Sequence, residues 1–189
     1  GFSWLTLSLR VGKGCIFLAQ VVLGWILTDE DFGVFAIAAS VIGFIKVFHD
    51  GGVPQVLVQR GDAEFKRLQG AAFWIAMTVS LLAGIVLAGV APWIASVYGD
   101  RRLTAVLWVL AVSLPLGAPA NVLRARLQLD LRFRIISMIA AGRFIIRSVG
   151  MVILALLGFG VMSFVLPLLI VAVFENMATF LATRSHPWK

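Results

Sequence analysis

Charge is what this chain has least of. Asp, Glu, Lys and Arg together make up 13% of its 189 residues, where a soluble domain carries about a quarter. That shortfall, beside 61% hydrophobic residues and a mean hydropathy of +1.01, excludes a water-covered globular surface and leaves a polytopic membrane protein. Cysteine is nearly absent as well: Cys15 is alone, inside an apolar run, which excludes a disulfide and reads as a small buried apolar residue. Long polar connections are missing, so little soluble surface is left for an active site. No HExxH pair, phosphate-cradling glycine loop, serine elbow or pair of external carboxylates occurs. An enzyme is not expected, nor a cofactor or a metal site. No cleavable leader is expected in the first apolar segment, which is too long and lacks a small-residue cleavage site. The start at Gly1 instead of Met points to a piece of a longer protein.

What is present is organised around Thr28 to Asp62, reading TDEDFGVFAIAASVIGFIKVFHDGGVPQVLVQRGD. An acidic turn, a long apolar run and a basic loop follow one another, as the two ends of a membrane-spanning helix would. Six such apolar segments can be marked, at 4–27, 32–57, 70–95, 103–127, 134–157 and 161–183, each near the roughly 20 residues that cross a bilayer. The expected fold is an all-α membrane protein, a single six-helix transmembrane bundle with no soluble domain.

Basic residues alternate between connections. Arg10 and Lys13, then Arg60, Lys66 and Arg67, then Arg124, Arg126, Arg132 and Arg134, then Arg184 and Lys189 share one side. The first connection carries Asp29, Glu30 and Asp31, and the fifth, Gly158 to Gly160, carries no charge. Only Arg101 and Arg102 dissent, beside Asp100. Both termini are therefore expected in the cytoplasm. The net charge of +7 is a topology signal of this kind, and no nucleic-acid partner is expected. Trp4, Trp25, Trp93, Tyr98 and Trp188 fall near segment ends, suiting the headgroup layer. Prolines inside segments, among them Pro54, Pro115, Pro119 and Pro167, remove helical hydrogen bonds that a neighbour must replace. The turns LTDEDFGVFAIA and LLGFGVMSFVLP share an FGV core, which either a common turn type or a duplicated unit explains.

Ionisable groups deep in apolar segments are the candidate functional residues, since facing lipid costs them about 2.5–3.5 kcal/mol each. Arg143 and Arg147 stand four apart on one helical face. Their fixed donor forks suit phosphate or carboxylate; the other reading is an internal ion pair with Asp50 or Glu175. Lys46 joins them as a candidate phosphate-binding cation. Lys46, His49 and Asp50 together suggest a proton or ion relay, with Glu175 as a further coupling acid. Alternatively Asp50, followed by Gly51 and Gly52, only breaks the helix. Asn121 and Asn176 are further polar points, and Arg124 and Arg126 are close enough to the cytoplasmic edge to snorkel.

The runs FSWLTLSLRVGKG, LTDEDFGVFAIAASVIGF and DGGVPQVLVQRGD, followed in order by AAFWIAM, APWIASVYGD, LRARLQLDLRFR and LALLGFGVMSFVL, resemble the N-terminal part of the oligosaccharide flippases of polysaccharide biosynthesis. These belong to the multidrug, oligosaccharidyl-lipid and polysaccharide exporter superfamily. The resemblance covers essentially the whole chain. It implies one lobe of a two-lobe transporter in a bacterial inner membrane, which carries a polyprenyl-(pyro)phosphate-linked oligosaccharide to the outer leaflet by alternating access. The partner implied is a second six-helix lobe, from further chain or from a second copy. A drug or cation antiporter of the same fold would need more deep acid than this lobe has. A membrane-embedded glycan polymerase or glycosyltransferase would normally add a long external loop.

Overall fold

A computed structural model describes the backbone of residue 14 and of residues 17–49 and 62–183, with side chains over the same residues except 46–49 and 62–68. Among the described residues six helices follow one another: α1 (Phe17–Ile26), α2 (Asp29–His49), α3 (Asp62–Tyr98), α4 (Arg102–Leu129), α5 (Phe133–Leu156) and α6 (Met162–Thr183). Among the described residues there is no strand, and the protein is an all-α membrane protein. Gln69–Tyr98, Arg102–Leu129, Phe133–Leu156 and Met162–Thr183 are each long and apolar enough to cross a bilayer. An apolar slab leaves the backbone no water to bond, so helices, which close their own hydrogen bonds, are the structure such runs adopt.

Helix α4 is the axis of the bundle. It packs along α3 and α6 and also touches α2 and α5, while α5 lies mainly against α6. Its first half buries one stripe, Leu103, Val106, Leu107, Leu110, Ala111 and Leu114, and its second half buries residues on several faces, among them Ala120, Val122, Leu123 and Leu127. Lipid offers apolar side chains no reason to hide, so close approach between helices relies on small residues and fitted shape. Gly84 of α3 shows how close. A Cβ built there would lie 2.8 Å from the Ala111 carbonyl oxygen, the same carbonyl that Pro115, lacking an N–H, leaves without its helical donor. Pro92 does likewise to the Ala88 carbonyl, and there the Trp108 indole N–H of α4 donates across the interface at 3.1 Å. Pro167 of α6 seats against Gly150 of α5, where a Cβ would meet its ring at 3.2 Å.

One end of the bundle gathers three connections. Arg102 donates to Asp100, to Glu30 and to Asp31, the last at 3.2 Å, and the Thr28 hydroxyl donates to Asp31 at 3.1 Å. Gly160 adjoins the same carboxylate, since a Cβ there would sit 3.4 Å from Asp31 Oδ1. Just below, fully buried Phe164 stacks on Phe35 at 4.3 Å and meets Phe32 edge-on at 5.3 Å, geometries that ring quadrupoles favour. The two FGV turns thus meet face to face, with Val34 and Val161 buried in one core. At the opposite end Arg126 donates to buried Gln69 of α3, and Arg132 donates to the Ala182 carbonyl in the last turn of α6, where a cation suits the helix dipole.

Candidate functional site

Helices α2, α4, α5 and α6 line a half-open cavity of about 570 Å³. Apolar Phe35, Ala39 and Ile42 of α2 form one wall, and Leu168, Val171 and Ala172 of α6 another. Into this setting three cations project: Arg124 from α4, and Arg143 and Arg147 from α5. Among the described residues the one acid that lines it is Glu175 of α6. Arg143 follows Phe133 by ten residues, about 15 Å along the helix at 1.5 Å per residue, which is deep in the span.

Glu175 Oε1 accepts from both Arg124 Nη2 and Arg143 Nη1, the latter at 3.3 Å, so one carboxylate oxygen ties α4, α5 and α6 together. The carboxylate side chain is 12% exposed, and an ion pair this buried holds only while both signs are present. The Arg143 guanidinium also lies 5.1 Å from the centre of the Phe144 ring, where a cation is favoured. Arg147 is different. Its Nε is buried and has no hydrogen-bond partner among the described residues. Among the described residues, three positive groups against one negative leave the lining with an excess of two positive charges. In a half-open recess of partly buried side chains that excess attracts an anion more strongly than it would on a fully exposed surface.

The structure therefore brings Arg143, Arg147 and Glu175 into one site, and their helical spacing had already put the two arginines on one face. The internal pairing weighed for Arg143 exists, with Glu175, but Arg147 stays outside it. Lys46 and His49 belong to α2, with side chains outside the described residues, and Asp50 lies outside the described residues altogether. The residue that sequence reasoning passed over is Arg124, read as snorkelling to the membrane edge; instead it turns inward to Glu175. A signal was there in Gly117, Asn121 and Arg124, which are spaced by four and three residues, share one face of α4, and all line the cavity. Asn176, next to Glu175, donates to the Leu116 carbonyl at 2.6 Å, fixing α6 against α4 beside the site. A second cavity of about 140 Å³, lined mostly by apolar residues such as Leu127, Ile136 and Ile139, shares Arg124 and Arg143 with the first.

A cavity of 570 Å³ is within the roughly 300–1,000 Å³ of small-ligand pockets. It fits an anionic headgroup with a few attached groups and is too small for a whole oligosaccharide.

Residues 22–188 match the model of a family described as polysaccharide biosynthesis protein. Succinoglycan biosynthesis transport protein ExoT of Rhizobium meliloti (strain 1021) is 27% identical over 188 residues, which cover 98% of this chain and 37% of that relative. The chain thus spans little more than a third of that relative's length. No solved structure matches it to a significant degree.

Proposed function

The chain belongs to the polysaccharide biosynthesis protein family, and from that premise we propose that it is a transport lobe for a lipid-linked oligosaccharide. In this reading it is six transmembrane helices of an exporter in a bacterial inner membrane, with both termini cytoplasmic. The substrate is a polyprenyl-(pyro)phosphate-linked glycan, carried from the cytoplasmic to the outer leaflet by alternating access. A second six-helix lobe, from further chain or a second copy, completes the cavity, which accounts for a volume too small for the glycan. The protein moves its substrate and makes no covalent change to it.

One observation carries the reading: among the described residues, three arginines from two helices line a half-open cavity with a single carboxylate to balance them. Guanidinium forks in low dielectric match the oxygens of phosphate and leave sugars to be held by weaker contacts. Lys46 adds to this cation set, and His49, Asp50 and Glu175 are the groups through which an ion could be coupled. An exporter of cationic drugs would need the opposite balance of charge. The test is Arg143→Gln with Arg147→Gln in the full-length protein. Translocation of the lipid-linked repeat unit should fall at least about a hundredfold, since each charge-assisted contact contributes about 1.5–3 kcal/mol, while membrane abundance stays normal. Undiminished translocation would sink the phosphate assignment.

A further inference from the structure

Glu175 occupies the place that an incoming anion needs. Its Oε1 holds Arg124 and Arg143 at once, so two of the three guanidiniums around the cavity are already engaged. Of the three, and among the described residues, Arg147 is the one with a buried, unpartnered N–H to offer. We propose that Glu175 is an internal counter-anion that stands in for the substrate's phosphate in the empty site and is displaced when the phosphate arrives. This inference rests on the phosphate-binding reading above and adds what regulates that site.

The argument is one of acceptors as well as charge. A single carboxylate oxygen serves two donors from two helices, and Arg147 Nε goes unserved. A phosphate or pyrophosphate has more oxygens and more negative charge, so it can accept from Arg124, Arg143 and Arg147 together. The exchange then runs in steps that the positions suggest: the anion first meets Arg147, the open donor, and Arg143, one helical turn away on the same face, and then takes both remaining forks from Glu175. Because Glu175 is the α6 member of the α4–α5–α6 tie, its release also unties α6 from the arginine pair. Occupancy of the site and the helix packing are in this way one equilibrium, and an anion shifts it only by binding the untied state better. The carboxylate has a second use on the outward stroke, since it can retake both arginines and eject the phosphate.

A competitor that fills the site most of the time lowers the apparent affinity by the fraction of time the site is free. If that fraction is about a tenth, Glu175→Gln should bind inorganic pyrophosphate about tenfold more tightly than the wild type. The experiment is calorimetric titration of pyrophosphate into the full-length protein in detergent, with thermal unfolding recorded alongside. Glu175→Asp, one methylene shorter and so unable to span both guanidiniums, should bind several-fold more tightly and carries the decision if Glu175→Gln does not fold. Translocation should fall in Glu175→Gln despite the tighter binding, because release slows. A carboxylate that merely glued the helices would lose binding and transport together. Variants that bind pyrophosphate equally or more weakly than a binding-competent wild type overturn the inference alone. No binding by any of the three proteins overturns the phosphate reading, and this inference falls with it.

Discussion

Asp100 and Arg102 show how a single residue reads differently once its neighbours are known. The Arg102 side chain, bonded to both carboxylate oxygens of Asp100, holds that carboxyl below its usual range against a small opposing effect of burial. A carboxyl depressed on folding contributes stability above its unfolded pKa, about 3.9, and loses it as pH falls through the folded value. The cluster should therefore be intact from neutral pH down to about 5 and open only below about 4. In detergent, the melting temperature of the wild type should be flat over the first range and drop in the second. In Arg102→Gln the acid drop should be smaller; drops of equal size would mean the pair contributes nothing. The same contrast explains what was legible at the site. Arg143 and Arg147 could be paired from spacing alone, because the i, i+4 rule works within one helix. Arg124 could not, because an arginine near a helix end can reach water or turn inward, and only the placement of Glu175 on another helix decides which.

At the scale of the element, helices α3, α4 and α5 end alike. Each closes with a bond from a residue two or three past its end to a carbonyl five back: Asp100 to Ala95, Arg132 to Leu127, Phe159 to Leu154. The residue before the donor then takes a left-handed backbone, with φ of +70° at Gly99, 53° at Leu131 and 80° at Gly158. Two of the three are glycine, as this cap prefers, and Leu131 is the exception. A side chain in that conformation costs about 1–2 kcal/mol, and Gly gives back roughly 0.5–1 through its freer unfolded chain. Leu131 is largely exposed, so little packing is lost. Leu131→Gly should raise stability by about 0.5–1 kcal/mol, seen as a higher melting temperature; a lower one would mean that the side chain makes contacts that matter in the membrane. The all-α class was plain from the apolar runs, but hydropathy marks the slab and not the helix. That is why α3 begins at Asp62 although the apolar run marked in the sequence starts at residue 70, and why the use of Trp108 to cap the carbonyl freed by Pro92 left no trace in the sequence.

For the whole molecule, the sorting of charge between the two ends argues for its direction in the membrane. The end formed by Thr28–Asp31, Asp100–Arg102 and Gly158–Val161 joins three connections through one arginine and three acids. Arg102, which broke the alternation of basic connections when counted alone, is here outnumbered by Asp31, Glu30 and Asp100. The positive-inside bias counts basic residues near segment ends, and an arginine engaged by three acids is a poor retention signal. The opposite end carries Arg126 and Arg132, bonded to the neutral Gln69 and to a backbone carbonyl, and among the described residues no acid pairs with either. The acidic end should then face outward and the basic end the cytoplasm. In a full-length protein whose Cys15 has been replaced by Ala, Asp29→Cys should react with a membrane-impermeant maleimide in intact cells. Asp130→Cys, beside the α4–α5 turn, should react only after permeabilisation. The reverse pattern would invert the molecule and, with it, the face from which the arginine-lined cavity must load.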